Sequence, residues 1–291
     1  MSYPRVQRTI SQPAAVRGYG FWTGNPVQVE FRPAPVGSGV TFVRDDLGTE
    51  VWIPARAEHR IDVPRRTNLS YAGAQVEMVE HILAALAGLQ IDNCEVGVTA
   101  AEMPGCDGSA LHFVQALDRA GYEEQHESVQ LLEITAPVRI TKGESWVEAR
   151  PGRGEGLRVE FRLDYPHDPS IGRQQVSVGV SPETFREELA SCRTFVLKRE
   201  ADAMLQQGLG THVTWQDLLV FDDSGPIDNP LRFANECARH KALDLIGDLA
   251  LTGCQIVGHI VAYRSSHQLN AALATELLTQ FSPATPLRAS A

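Results

Sequence analysis

The chain has no long apolar run, no run of basic residues and too few cysteines for a covalent framework. In 291 residues, no stretch approaches the roughly 18 to 20 uninterrupted apolar residues that cross a bilayer, so no integral membrane segment is expected. The opening residues Met1-Ser2-Tyr3-Pro4-Arg5-Val6-Gln7-Arg8 lack the apolar core of a signal peptide, which makes the cytoplasm the expected location. The five cysteines (Cys94, Cys106, Cys192, Cys237, Cys254) are odd in number and not closely paired. That argues against a disulfide framework and against a thiolate zinc cage, leaving reduced thiols. No lysine or arginine run exceeds a pair and the formal charge is −10, so nucleic acid is a disfavoured partner. An anionic small substrate would need a local basic pocket. What remains is a globular chain long enough for two cores of ordinary size.

Periodicity divides the chain into two halves of similar order. In the first, an apolar helical pattern begins near Val79 and stops at Gly88, Asn93 to Val98 alternates like a strand, and a helix from about Ser109 to Ala120 ends at Gly121. In the second, a helix from about Leu231 to Leu251 ends before Gly253, Cys254 to Tyr263 reads as a buried strand, and His267 to Gln280 reads as a helix. Short β-like runs precede each set, Val27 to Arg32 and Val40 to Val43 in one, Glu133 to Ile140 and Leu157 to Leu163 in the other. The expected fold class is α+β, with two related domains, each a β-sheet layer packed with helices, and an active site between them. The polar run Glu123-Glu124-Gln125-His126-Glu127-Ser128 is the expected boundary, giving domains 1–126 and 127–291. The repeat is one of pattern, with little identity residue by residue.

Chemistry concentrates in Arg239-His240-Lys241-Ala242-Leu243-Asp244-Leu245-Ile246-Gly247-Asp248. At roughly 100° per residue, His240, Asp244 and Asp248 share one helical face. Such a face can hold a metal or be an ordinary solvated stripe. The corresponding helix of the first half begins with Glu80-His81, which supplies further donors. His81, His240 and Asp244 with an open fourth position would suit a hydrolytic zinc ion, which lowers the pKa of bound water to about 7. Glu80 diverges from His81 by roughly 100° and could reach the water instead of the metal. The plainer alternatives are a glutamate favoured by the helix dipole and a boundary histidine.

Several separated motifs resemble one family in its own order. The run Val79-Glu80-His81-Ile82-Leu83-Ala84-Ala85-Leu86-Ala87-Gly88-Leu89-Gln90-Ile91-Asp92-Asn93, then Glu102-Met103-Pro104 and Asp107-Gly108-Ser109-Ala110, resembles the UDP-3-O-acyl-N-acetylglucosamine deacetylases of lipid A biosynthesis. So do Arg193-Thr194-Phe195, the stretch ending in Asp248, and His267-Gln268-Leu269-Asn270. The resemblance implies a zinc-dependent amidase that removes acetate from a UDP-linked acylated amino sugar, with His81, His240 and Asp244 as metal ligands and Glu80 as general base. It further implies that His267, as imidazolium, protonates the leaving amine, that Asp248 orients and charges it, and that Thr194 helps hold the tetrahedral intermediate. A strand threonine with no catalytic part is the alternative for Thr194. Two histidines and a carboxylate also suit ferrous iron.

For substrate binding the resemblance implies Lys241 and Arg264 near the diphosphate, Arg264 standing where lysine is usual, and Asp164-Tyr165 near the nucleoside, with Phe195 beside them. It also implies an inserted lobe over about 195–220 with an acyl-chain tunnel, for which this chain offers Leu197, Met204, Leu205, Leu209, Val213 and Trp215; plain core packing is the alternative. The chain departs from the family at Trp22 (commonly histidine), Gly105-Cys106 (a bulkier apolar pair), Ser145 (lysine), Asp217 (asparagine) and Ser266 (glycine). These fall around substrate and spare the metal and proton-transfer groups. Cys106, in a glycine-rich loop, reads as a reactive thiol or an inert small residue. The expected activity is therefore N-deacetylation. A different acylated or nucleotide-linked amino sugar is the second reading, and a catalytically silent binding relative the third. Joint retention of Glu80, His267 and Asp248 argues against the third.

Overall fold

The strand Pro26–Pro33 buries Val27, Val29 and Phe31 and leaves Gln28, Glu30 and Arg32 half-exposed, so its alternation makes a sheet with one apolar face. The computed structural model describes residues 5–48, 51–152, 156–281 and 283. In the first half five strands pair in the spatial order Ala14–Tyr19, Pro26–Pro33, Cys94–Val98, Val40–Arg44, Trp52–Pro54. The central strand is antiparallel to Pro26–Pro33 and parallel to Val40–Arg44. In the second half the order is Val138–Lys142, Ser145–Arg150, Gln255–Tyr263, Leu157–Asp164, Arg173–Gly179, with the same alternation of directions. Each half also brings an earlier segment parallel to its central strand: Thr9 bridges Asn93, and Leu131–Glu133 pairs with Gln255–Tyr263. The repeat of pattern is thus a repeat of topology, and the α+β class holds.

The longer helices follow in the matching places. In the first half, α1 (Glu80–Gly88) precedes the central strand and α2 (Leu111–Ala120) follows it. After α3 (Lys198–Gln206), the second half repeats the arrangement with α4 (Glu236–Leu249) and α5 (His267–Gln280). Both α1 and α4 are buried nearly all round, the pattern of helices covered on every side. They pack against each other closely, and Gly247 is the reason: a Cβ there would lie 2.1 Å from the carbonyl oxygen of Glu80. That contact sets the start of α1 against α4. One apolar core runs from Ile10 to Leu277 through both halves.

Three local expectations meet a different local structure. The polar run at 123–128, expected as the domain boundary, lies within the strand Tyr122–Ser128, which pairs antiparallel with Val6–Ile10. Most of its side chains face solvent, so its hydropathy does not alternate. The run from Glu133 to Ile140 is two strands, Leu131–Glu133 and Val138–Lys142, broken where Pro137 cannot donate to a ladder. The helix read from Leu231 starts at Glu236, because the Glu236 carboxylate turns back to accept from the Arg232 backbone N–H at 2.6 Å and holds 231–235 as a loop.

The expected inserted lobe is built from Phe195–Leu197, α3 and Leu219–Asp222, with Gly225–Pro226 closing a small three-stranded sheet. It carries a separate apolar cluster of Val196, Leu218 and Val220, onto which Phe21, Met204, Val213 and Trp215 pack. Among the described residues, no helix is long and apolar enough to cross a membrane.

Candidate metal and acid–base site

Because α1 and α4 meet at Gly247, Glu80 and His81 of one half face His240, Asp244 and Asp248 of the other. His81 Nε2 and His240 Nε2 each lie 3.4 Å from Asp244 Oδ1, and the two rings stand edge to face with centroids 5.1 Å apart. Ligand atoms of the three lie within 4.8 Å of one another. His240 Nδ1 hydrogen-bonds the Cys192 carbonyl at 3.1 Å, which puts its proton there and turns a bare Nε2 lone pair toward Asp244. Burial holds this imidazole neutral by pushing its pKa down to about 3, against the pull of Asp244.

The opposing oxygen, Asp244 Oδ1, is buried and accepts no hydrogen bond. Lone pair therefore faces lone pair in a buried site, which is the arrangement a cation resolves. The residues present fit a metal ion. The other oxygen, Asp244 Oδ2, accepts from Lys241 Nζ at 2.7 Å. Although burial works against its charge, the Asp244 carboxyl is held well below the usual carboxylate range, with the Lys241 ammonium bonded to it as the standing positive charge.

Glu80 and the His267–Asp248 pair lie beside this cluster. Burial raises the Glu80 carboxyl above its ordinary value, although His267 and His81 pull the other way. His267 Nδ1 donates to Asp248 Oδ2 at 2.9 Å, and its Nε2 lies 3.8 Å from Asp244 Oδ2. Burial disfavours the imidazolium, but the charge and hydrogen bond of Asp248, helped by Asp244 and Glu80, outweigh it and lift the pKa to about 9. His267 is thus an acid that stays charged at neutral pH. Asp248 is fully buried and also accepts from Asn270 Nδ2 at 2.8 Å and from the Thr67 hydroxyl at 2.5 Å. Thr67 further donates its backbone N–H to Glu80 Oε2 at 2.9 Å.

Thr67 carries no signal in the sequence. It lies in an irregular stretch before the strand Asn68–Tyr71, far from α4 along the chain, with no periodicity to mark it. Asn270 lies one helical turn after His267, so the shared face of α5 could have found it.

A small cavity over the cluster, lined by Glu80, His81, His240, Asp244, His267 and Thr194, adjoins a cleft of about 1110 Å³. Both cavities share Thr194, Lys241 and His267. Thr194 is fixed by its own N–H, which donates to the Gly108 carbonyl at 2.8 Å; at Gly108, where φ is +77°, a Cβ would strike the Thr194 methyl. Next to it Arg193 is buried against Glu236 at 2.8 Å, pinning the loop to the start of α4.

Tyr165 and Phe195 line the cleft together, rings 5.9 Å apart and edge to face. Met204, Leu205, Leu209, Val213 and Trp215 supply an apolar wall, while Leu197 is buried in the main core. Leu205 and Leu209 are exposed rather than packed into a core. Arg264 is not brought to this lining: at φ +50° it turns away to pair with Glu144 at 3.1 Å. Lys142 and Arg65, which sequence reasoning passed over, are.

The departures sort by location. Trp22 lines the cleft, with Arg66 stacked 5.2 Å from its ring. Ser145 pairs directly across a hairpin with Lys142, so a cation is offered from the facing position. Asp217 Oδ2 caps a turn by accepting from Thr214 N–H and its hydroxyl, and Ser266 caps α5 through the Leu269 N–H. Burial pushes the Cys106 thiol up to about 12, which marks it as inert.

A buried histidine–histidine–carboxylate cluster flanked by a carboxyl of raised pKa and a charged imidazole, at the foot of a half-apolar cleft, is the arrangement of a metal-dependent hydrolase. Residues 7–279 match the family model described as LpxC, UDP-3-O-acyl N-acetylglycosamine deacetylase. Proteins named UDP-3-O-acyl-N-acetylglucosamine deacetylase are 40% identical in Psychrobacter cryohalolentis, over 94% of this chain and 85% of the relative, and 40% identical in Anaeromyxobacter sp. strain Fw109-5, over 94% and 88%. The similarly named protein of Acidithiobacillus ferrooxidans is 38% identical over 94% and 90%. The chain belongs to the UDP-3-O-acyl N-acetylglycosamine deacetylase family.

Proposed function

We propose that the protein hydrolyses the N-acetyl group of UDP-3-O-(3-hydroxyacyl)-N-acetylglucosamine, releasing acetate, in lipid A biosynthesis. The observation that carries this is the orphaned Asp244 oxygen facing two imidazoles, with a raised carboxyl at Glu80 and a charged imidazole at His267 alongside. His81, His240 and Asp244 would hold the metal, for which zinc is the proposed ion and ferrous iron an ion the same donors accept. Such an ion supplies Lewis-acid polarisation of the acetamide carbonyl and acidifies a water.

The remaining work falls to the chain. Glu80, whose carboxyl is raised and fixed by the Thr67 N–H, takes the proton from the attacking water. Amide cleavage fails unless the departing nitrogen is protonated, and His267 supplies that proton from Nε2 while Asp248 holds Nδ1. Thr194 lines both cavities, and its hydroxyl stabilises the tetrahedral oxyanion. Lys241 and Arg264 serve the diphosphate, Arg264 after release from the exposed Glu144, and Tyr165 with Phe195 bears on the nucleotide sugar. The apolar wall from Met204 to Trp215 takes the acyl chain. The two halves, 1–126 and 127–291, act as domains that each contribute part of the site.

An acetate-release assay on the purified, metal-replete protein with UDP-3-O-(3-hydroxyacyl)-N-acetylglucosamine tests the substrate. No turnover sinks that assignment in favour of another acylated amino sugar. Turnover left unchanged by Glu80→Ala sinks the assigned base.

A further inference from the structure

We propose that Thr67 is a positioning residue that couples the general base to the acid pair; the inference rests on the deacetylase reading above. Every polar atom of Thr67 is committed to the site, and the residue is fully buried. Its carbonyl accepts from the Val79 N–H at 3.0 Å and its N–H donates to Glu80 Oε2 at 2.9 Å, so its backbone clamps the start of α1. Its hydroxyl crosses to the other half and donates to Asp248 Oδ1 at 2.5 Å. The same oxygen lies 3.3 Å from His267 Nδ1.

This geometry fixes Asp248 from both ends. Oδ2 is taken by His267 and Asn270, and without a donor on Oδ1 the carboxylate could rotate about its Cβ–Cγ bond and carry the imidazole with it. Thr67 touches neither cavity, so it acts through its neighbours. A β-branched residue suits the task because its χ1 is stiff, aiming the hydroxyl across the seam between the halves. A displacement of one proton-transfer group is thereby resisted by the anchor of the other.

The test compares Thr67→Val, which keeps shape and backbone but removes the hydroxyl, with Thr67→Ser, which keeps the hydroxyl and loses a methyl. Thr67→Val is expected to lower kcat about 10- to 100-fold, the effect of losing one hydrogen bond to a charged group, with KM and metal content unchanged. Thr67→Ser is expected to return kcat to within about threefold of wild type. A silent Thr67→Val, or damage by Thr67→Ser alone, would show that the residue only fills space and overturns the proposal. Thr67→Ala serves in the same comparison should the valine variant not fold.

A second measurement is independent of turnover: the downfield imidazole N–H proton resonance absent from His267→Gln should shift or broaden in Thr67→Val and return in Thr67→Ser. An unmoved resonance overturns the proposal even where the substrate assignment has failed.

Discussion

Replacing Asp248 with asparagine should turn His267 from a charged acid into a neutral base at working pH. In the folded protein this imidazole is lifted from 6.5 to about 9, with burial acting against the lift and Asp248 acting first among the groups that produce it. That difference corresponds to about 3 kcal/mol in favour of the charged form. Asparagine keeps the size of the side chain and deletes the charge, leaving only Asp244 and Glu80 to oppose burial, so the pKa falls from about 9 toward the ordinary 6.5. An acid with that pKa is almost wholly deprotonated at pH 8, and kcat/KM should drop by about 10²- to 10⁴-fold there.

The readout is the pH profile of acetate release from pH 5.5 to 10. Its alkaline limb, expected near 9 in the wild type, should move down toward 6.5 in Asp248→Asn. Stability should follow the same sign. Because the folded pKa lies above the unfolded one, the contribution is complete below pH 6.5 and is lost as pH rises through 9. Urea unfolding of the metal-free wild type should therefore lose up to about 3 kcal/mol over that window, and Asp248→Asn should not. An alkaline limb at the same pH in both proteins would refute the argument, since Asp248 would then not set the acid.

Four further outcomes follow from the geometry. Chelation should abolish turnover and lower the melting temperature, with readdition of a divalent metal restoring both, and His240→Ala should lose bound metal by elemental analysis. Gly247→Ala should cost about 2–3 kcal/mol in chemical denaturation, because the new Cβ meets the Glu80 backbone; an unchanged midpoint would contradict the close crossing of α1 and α4. Lys142→Ala should raise KM about tenfold with little effect on kcat. Among the described residues it is a cleft-lining cation whose hydrogen-bond partner, Gln268 Oε1, is neutral, which leaves its charge for a phosphate. Leu209→Glu should selectively weaken long-chain acyl substrates, seen as a rise in KM that shrinks as the chain is shortened.

What could be read in the sequence was what repeats locally. α1, α4 and α5 follow from apolar spacing and stop signals, and His240 and Asp244 follow from one turn of helix. The meeting of Glu80-His81 with that turn came from matching the order of the two halves, and Gly247 is its physical cause. Solvent-facing strands escape because hydropathy is blind to an element without a buried face, as at Tyr122–Ser128. Thr67 escapes for another reason: its importance comes from partners 13, 181 and 200 residues away, and no window along the chain contains them. Arg264 is less legible by position, because its guanidinium pairs with the exposed Glu144 outside the cleft lining and would have to leave it to meet a diphosphate.

The shared topology of the two halves has a kinetic consequence. The first sheet closes over residues 14–98 and the second over 131–263, so each can pair its strands without the other. The histidine–histidine–aspartate cluster, by contrast, joins residues 81, 240 and 244, and Thr67 spans the same divide. Contacts of such long separation form last, after the loops that enclose them have closed. During refolding, recovery of β-sheet signal should therefore run ahead of recovery of metal binding, and the interval between them times the docking of one half on the other.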